Sequence, residues 1–225
     1  MKAVLFDYNG TLFEDDDINQ EAWRRTYIEI TGREEGFLEL YQSHKGLRNE
    51  VFIKSIYKEK GFPLDEKKIS WWSKRKETEH YQKICLEHKD RGMRKGAEEL
   101  LNYLKEEGIP FTMCTASIRE NRDFYFAFLH LDRWFDISQV VYDDGNYKDK
   151  GEMYLEGARR LGVEIADCLV IDDSRGSILK AVEAGCRSLV VIQKEGSPDL
   201  PQIRQKITGF DELNYSLLPR TNSQD

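Results

Sequence analysis

Short apolar runs alternate with helical patterns from about residue 90 onward, and this alternation restricts the fold more than any other feature of the sequence. Helices are predicted at 95–107, 118–131, 152–161 and 175–184, and strands at 110–114, 139–142, 168–171 and 188–192. Alternation at this spacing implies right-handed crossovers and a parallel sheet with helices on both faces. We therefore expect an α/β fold with a Rossmann-like, doubly wound parallel sheet.

One more strand is predicted near the amino terminus, where an apolar run from Ala3 to Phe6 ends at Asp7. The pair Asn9-Gly10 follows at once, and between apolar runs such a pair is a strong signal for a β-hairpin. An open α/β sheet also delivers reactive acidic groups at the carboxyl ends of its strands. Asp7 is therefore either a simple strand end before a hairpin or the first residue of a site.

A polar region with helical periodicity separates this strand from the next one. Acidic N-cap residues stand before its first and last helices, at Asp15 and Asp65, and glycines that can end helices stand at Gly32 and Gly61. The sequence thus predicts an all-helical cap at 15–90, inserted into a catalytic core formed by 1–14 and 91–220. The polar segment 221–225 is predicted to be a flexible tail.

Composition excludes several classes of function. The 225 residues carry a formal net charge of −7, whereas a nucleic-acid-binding surface would need clustered basic residues. No apolar run approaches the length of a membrane span, and the four cysteines form no CxxC pair. We expect a cytoplasmic protein, monomeric or homodimeric, that binds neither nucleic acid nor membranes.

Polar groups follow three of the predicted strands. They are Asp7 with Asn9, Gly10 and Thr11; Thr115-Ala116-Ser117; and Asp172-Asp173-Ser174. Each alone is weak, because such residues often cap a following helix. Together they are a strong signal, because the carboxyl ends of parallel strands meet at one edge of a sheet.

The chemistry of these groups is consistent with phosphoryl transfer. Asp7, Asp172 and Asp173 offer the hard oxygen ligands that suit Mg²⁺, and crowded carboxylates need a compensating cation. A carboxylate nucleophile beside Mg²⁺ suits transfer through an aspartyl phosphate. Thr115 and Ser117, with backbone N–H groups at helix N-termini, can hold phosphate oxygens.

In these motifs the chain resembles the haloacid dehalogenase (HAD) superfamily of hydrolases, in its β-phosphoglucomutase-like group. The resemblance runs in order from residue 2 to residue 192 and is closest from Asp172 to Gly185. It implies a helical cap and Mg²⁺-dependent phosphate chemistry. It also implies Asp7 as nucleophile and metal ligand, Asp172, Asp173 and the Asn9 carbonyl at the metal, and substrate phosphate contacts at Gly10, Thr115, Ala116 and Ser117.

The resemblance also implies one active-site lysine. An ungapped count back from Tyr154 and Gly157 places the family's Lys-Pro-x-Pro at Lys148. Both prolines are missing, so a slip in register would select Lys150 instead. We take Lys148 as the catalytic lysine and Lys150 as a substrate contact.

Asn9 departs from the family pattern. Phosphatases and mutases of the family have a second Asp there, which acts as the general acid and base. A carboxamide cannot exchange a proton as a carboxylic acid does, and such catalysis is worth ~10²–10⁴-fold in rate. Acyl and aryl phosphates have leaving groups that need little protonation.

Substrate specificity is assigned to the cap. Lys45-Gly46-Leu47-Arg48 resembles the family's cap loop that reaches the active site, so Lys45 or Arg48 would bind a substrate anion. A charged surface loop is an equally good interpretation of the same residues.

These observations predict a Mg²⁺-dependent phosphatase of small phosphorylated metabolites. The alternative is a non-catalytic or nearly inactive homologue that binds phosphometabolites, because the acid/base Asp is replaced by Asn9. A phosphonatase is a further alternative, but it would need a Schiff-base lysine in the cap, for which Lys45 and Lys54 are weak candidates.

Overall fold

The structure is a computed structural model that describes residues 1–44 and 48–220 of the chain. It divides into two compact units, Met1–Glu14 with Gly92–Asp225, and Asp15–Arg91. Two sequence-based predictions, the substrate contact at Lys45 and the flexible tail at 221–225, lie outside the described residues.

The first unit is built on a five-stranded sheet in the order β2-β1-β3-β4-β5, and every adjacent pair of strands is parallel. Helices connect the strands except between β4 and β5, where residues 193–202 form a loop. This confirms the predicted α/β fold with a parallel, Rossmann-like sheet. The strands are β1 (Ala3–Phe6), β2 (Phe111–Met113), β3 (Cys168–Asp172), β4 (Ser188–Ile192) and β5 (Ile203–Ile207), and the helices are α6 (Ala97–Glu106), α7 (Arg119–Leu129), α8 (Lys150–Arg160) and α9 (Arg175–Glu183).

Burial on both faces explains why the central strands consist almost entirely of apolar residues. Each residue of β1, β3 and β4 is buried. Leu5 and Val170 belong to a cluster with apolar side chains of α8 and α9. Phe6, the next residue along β1, packs instead against the rings of Phe135 and Phe210. The sheet is therefore covered on both faces, and its polar strand ends are the places where chemistry can occur.

Two strand assignments differ from the predictions. Residues 139–142 form an isolated bridge between Cys114 and Val141 rather than a strand. The Thr112 hydroxyl donates to the carbonyl of Gln139 at 3.0 Å. This side chain therefore occupies a carbonyl that would accept a backbone hydrogen bond if the strand pairing were longer. The fifth strand, β5, was not predicted, because Ile-Arg-Gln-Lys-Ile alternates like a surface segment; charged side chains of this kind are common on edge strands.

The Asn9-Gly10 pair forms a tight turn rather than a hairpin. The N–H of Gly10 donates to the Phe13 carbonyl at 2.7 Å, and the N–H of Thr11 donates to the Tyr8 carbonyl at 3.1 Å. Gly10 has φ of +74°, a left-handed conformation that glycine adopts without strain. No second strand follows the turn within the described residues, because the chain enters a helix at Asp16.

The second unit is all-helical and contains its own apolar core. Trp23, Tyr27, Phe52 and Ile56 belong to this core, which matches their helical spacing. Asp65 accepts hydrogen bonds from the N–H groups of the next helix, as predicted for an N-cap. The helices are α1 (Asp16–Thr31), α2 (Phe37–His44), α3 (Asn49–Lys60), α4 (Glu66–Arg75) and α5 (Gln82–Glu87), with a π-helical segment (Lys76–Tyr81) between α4 and α5.

Among the residues that the structure describes, no helix is both long and apolar enough to cross a bilayer. The four cysteines, Cys85, Cys114, Cys168 and Cys186, are free and buried. Burial raises the pKa of Cys114, which lies next to the polar strand ends, to about 12. Its thiol is therefore an apolar packing group rather than a nucleophile.

Two helical glycines provide a matched test of this packing. A Cβ on Gly157 of α8 would collide with Cys114 Sγ and lie 3.3 Å from a methyl group of Leu5, whereas for Gly176 of α9 the nearest atom is Ser174 Oγ at 3.8 Å. We expect Gly157→Ala to lower the free energy of unfolding by about 1–3 kcal/mol through overpacking. We expect Gly176→Ala to be neutral or stabilising by up to ~1 kcal/mol, because alanine favours a helix. Urea unfolding midpoints measure both, and equal effects would contradict the packing.

Candidate active site

Asp7 lies directly after the interior strand β1, at the carboxyl edge of the sheet. Its backbone N–H donates to the carbonyl of Ile171 at 3.0 Å, which continues the β1–β3 pairing by one residue. The side chain is 10% exposed, so the carboxylate is almost removed from bulk water. A buried carboxylate needs partners, because desolvation of an unpaired charge is costly.

Two further carboxylates reach the same place from β3. Asp172 is the last residue of β3 and Asp173 is the next. One carboxylate oxygen from each of the three aspartates lies within 4.8 Å of the other two. Asp172 accepts a hydrogen bond from the N–H of Ser174 at 2.7 Å and another from the buried hydroxyl of Tyr154. The predicted convergence of the first and third polar strand ends is thus what the structure shows.

The lysine that contacts Asp7 is Lys150, the alternative that a slip in register would select, whereas Lys148 was predicted to be the catalytic lysine. Lys150 Nζ donates to Asp7 Oδ1, and both side chains are buried. The reason lies in the start of α8: Asp149 is the N-cap, so Lys150 is the first helical residue. Lys148 precedes the cap and has an exposed side chain. The missing prolines had left this register open.

Burial and crowding determine the electrostatics of the cluster. Burial, followed by the charge of Asp7, raises the pKa of Asp172 to about 8. Burial also raises the pKa of Asp7, although the ammonium of Lys150 opposes this shift. Burial lowers the pKa of Lys150, but the neighbouring carboxylates outweigh this and leave it raised. Asp7 and Asp172 therefore ionise less readily than free carboxylic acids.

This cluster fits a divalent metal ion. It offers carboxylate oxygens, the hard donors that Mg²⁺ prefers, and a bound cation would offset the repulsion among them. Asp7, Asp172 and Asp173 are the residues that would hold it. The predicted contribution of the Asn9 carbonyl stays a prediction.

The second polar strand end lies beside the first, because β2 pairs with β1. The buried Thr115 hydroxyl accepts a hydrogen bond from the N–H of Ser117 at 3.2 Å. Ala116 is exposed between them. Their predicted role in binding phosphate is not tested by these contacts.

The side chain of Asn9 is held by hydroxyl groups. Ser117 Oγ donates to Asn9 Oδ1 at 2.9 Å, and Asn9 Nδ2 donates to the hydroxyl of Tyr125 at 3.1 Å. The two hydroxyls are 2.8 Å apart, and the Tyr125 ring stacks on Tyr8 with centroids 3.8 Å apart. Tyr125 was missed from the sequence, because on α7 it looks like any apolar-face residue.

Arg94 fixes the turn that carries Asn9 and Gly10. Its guanidinium is buried and donates to the carbonyls of Gly10 at 2.9 Å, Thr11 at 3.0 Å and Thr208 at 2.9 Å. The turn after Asp7 is therefore tied to a segment near the end of the chain. A lone arginine before α6 gave no sequence signal for this role.

The predicted cap residues belong to the second unit. Arg48 precedes α3 and is exposed. Lys76, in the same unit, is 3% exposed and pairs with Glu77 at 3.0 Å. The π-helical segment that begins at Lys76 was not predicted.

Comparisons with known proteins agree with this architecture. The sequence pattern of haloacid dehalogenase-like hydrolases matches residues 1–185. Protein CbbY of Rhodobacter capsulatus is 27% identical over 194 residues, which cover 83% of either chain. A bifunctional riboflavin kinase/FMN phosphatase of Arabidopsis thaliana is 31% identical over 126 residues, which cover 55% of this chain and 31% of that longer protein.

A solved structure extends the likeness to the fold. A HAD hydrolase of family IA, variant 3, from Entamoeba histolytica superposes with a TM-score of 0.84 and is 28% identical, covering 96% of this chain and 97% of that one. The family pattern spans Asp7, Lys150, Asp172 and Asp173, and so includes the whole carboxylate cluster. The chain belongs to the haloacid dehalogenase-like hydrolase family.

Proposed function

We propose that this hydrolase is a Mg²⁺-dependent phosphatase that cleaves phosphoric monoesters of small metabolites through an aspartyl phosphate. The observation that carries the proposal is the buried Lys150–Asp7 ion pair within the cluster of three carboxylates. A carboxylate so placed is a nucleophile near a cation site, which is the arrangement that phosphoryl transfer uses. The relative whose name includes FMN phosphatase supports a phosphoric monoester as substrate.

In the proposed first step, a carboxylate oxygen of Asp7 attacks phosphorus. The bond from phosphorus to the leaving oxygen breaks, and that oxygen keeps the electron pair. Lys150 holds the attacking carboxylate in place and offsets negative charge as the phosphoryl group arrives. Thr115 and Ser117, at the neighbouring strand end, would hold the other phosphoryl oxygens.

In the second step, water attacks the phosphorus of the aspartyl phosphate. The bond to Asp7 breaks, which returns the carboxylate and releases inorganic phosphate that carries the protons of the water. A Mg²⁺ ion held by Asp7, Asp172 and Asp173 would supply charge neutralisation for the phosphoryl group.

Asn9 limits which esters can react quickly. Its amide is engaged by Ser117 and Tyr125, and an amide offers no acidic proton for the leaving oxygen. Acyl and aryl phosphates, whose leaving groups are stable as anions, are therefore the preferred substrate class of this proposal.

The same residue supports a second candidate, a homologue that binds phosphorylated metabolites without turnover. It would use the same lysine and hydroxyls and would lack the proton transfer that completes the reaction.

The phosphonatase alternative loses one of its lysine candidates, because Lys54 forms an exposed ion pair with Glu66 at 2.9 Å and is not desolvated like an activated amine.

Asp7→Asn should lower kcat/KM for an aryl phosphate by more than about 10³-fold, because the carboxamide is a poor nucleophile. It should also abolish a phosphorylated protein species in rapid-quench intact-mass spectra. Asp132→Asn, at an exposed site, is the matched control and should change neither. Equal activity of Asp7→Asn and the unmodified protein would exclude the aspartyl phosphate.

The two lysines allow a paired test two residues apart. Lys150→Met should reduce kcat/KM by ~10²–10³-fold, because it removes the cation beside the attacking carboxylate. Lys148→Met should change it by less than about twofold, because an exposed charge outside the cluster contributes little. Steady-state kinetics with one aryl phosphate suffice, and a larger loss in Lys148→Met would reverse the assignment.

Asn9→Asp should raise kcat/KM for alkyl phosphates by ~10²–10⁴-fold, because it restores a general acid. The Ser117 and Tyr125 hydroxyls can donate to a carboxylate, so the variant should fold. The gain should be much smaller for aryl phosphates.

The measurement is a set of kcat/KM values for alkyl and aryl phosphates with both proteins. If the unmodified protein is inactive on every ester while Asn9→Asp turns over, the binding function is correct instead. No gain on alkyl phosphates would mean that position 9 does not limit leaving-group departure.

A further inference from the structure

A second lysine, Lys194, contacts the carboxylate cluster, at Asp173 rather than at Asp7. Its Nζ lies 2.7 Å from Asp173 Oδ2, and the other oxygen of Asp173 accepts from the Thr11 hydroxyl at 3.1 Å. The two side chains are 27% and 11% exposed. The contact is therefore a partly desolvated ion pair, stronger than a typical surface pair.

The backbone places Lys194 at this position. It follows β4 by two residues, and β4 pairs with β3, so the loop after β4 begins at the edge where Asp173 lies. The N–H of Gln193 donates to the carbonyl of Ile207 at 2.7 Å, and the N–H of Lys194 donates to Ser197 Oγ at 2.9 Å. Both bonds hold the chain from which the lysine side chain extends.

The lysine also lies close to the turn after the nucleophile. A Cβ on Gly10 would collide with the Asp173 carboxylate and lie 2.8 Å from Lys194 Nζ. The ammonium is thus next to the backbone of the turn, and glycine leaves the room for the pair. Lys194 was not predicted as a site residue, because a lysine after a strand is normally a solvated loop residue.

The partners of the three carboxylates differ in charge. Asp7 pairs with Lys150 and Asp173 pairs with Lys194, whereas Asp172 receives the neutral hydroxyl of Tyr154. Lys150 must stay at the nucleophile for the proposed chemistry. A protein ammonium and an incoming metal ion would therefore meet at Asp7 and at Asp173, and of the two ammonium groups only that of Lys194 has no part in the proposed chemistry.

We propose that Lys194 is a built-in counter-ion of the metal cluster, which weakens Mg²⁺ binding by competing for Asp173 and stabilises the cluster when no metal is bound. This inference rests on the metal site of the proposed function. A positive charge next to a carboxylate ligand repels a divalent cation and also shares its oxygen, and both effects reduce metal affinity. In the metal-free protein the same charge offsets repulsion among the carboxylates.

The test compares Mg²⁺ affinities of the full chain without substrate, measured by isothermal titration calorimetry. Lys194→Met should bind Mg²⁺ at least about tenfold more tightly than the unmodified protein, because one opposing unit charge is gone. Lys194→Arg keeps the charge and should bind within about twofold of the unmodified protein. Lys206→Met is the matched control: its Nζ lies 3.4 Å from Asp199 and the side chain is 30% exposed, so it removes the same charge away from the cluster.

Thermal unfolding gives a second readout that does not depend on activity. Without metal, Lys194→Met should melt at a lower temperature than Lys206→Met, and Mg²⁺ should raise its melting temperature more than that of the unmodified protein. A Lys194→Met protein that is unfolded without Mg²⁺ and folded with it also supports the inference. One that stays unfolded in saturating Mg²⁺ overturns it.

Equal or weaker Mg²⁺ binding by Lys194→Met overturns the inference and leaves the phosphatase intact. Absence of Mg²⁺ binding in every variant overturns it together with the metal requirement of the proposed function. Loss of the aspartyl phosphate alone, with tighter Mg²⁺ binding by Lys194→Met, would overturn the proposed chemistry and leave the inference standing.

Discussion

Repulsion among three carboxylates at one edge of a parallel sheet is the constraint on which the rest of the site depends. The pairing of β1 with β3 brings Asp7, Asp172 and Asp173 together. The sheet holds them in place because its strands are buried on both faces. The protein therefore has to supply positive charge and donors locally, and the contacts of Lys150, Lys194 and Tyr154 meet this need.

The sheet could be predicted from the sequence where burial determined the residue types. Strands β1, β3 and β4 are uniformly apolar, and their bounds were predicted almost to the residue. The prediction was wrong at the periphery, where other forces decide the structure. Edge strand β5 carries charged residues, and the apolar run at 139–142 is reduced to one bridge because a side chain takes a carbonyl.

The site was predictable where a residue's role follows from its own strand. Asp7, Asp172 and Asp173 end strands, and the topology alone brings them together. The position of Lys150 depends on where α8 begins. The N-cap at Asp149 makes Lys150, rather than Lys148, the lysine at the site. Other contacts join distant parts of the chain. Arg94 and Tyr125 bond to residues more than 80 positions away, and Lys194 reaches Asp173 from the loop after a different strand. Such contacts leave no periodicity in the sequence, so only the folded chain reveals them.

Asn9 has an electrostatic consequence besides the loss of an acid. A carboxylate at this position would add a negative charge to a cluster whose three carboxylates are paired with two lysines. The amide keeps the contacts with Ser117 and Tyr125 and adds no charge. Asn9 and Lys194 therefore act in the same direction, since both make the site less negative. A less negative site attracts a divalent cation less strongly and repels an incoming phosphate dianion less strongly. A site that has less negative charge but no general acid suits substrates whose leaving groups need no proton.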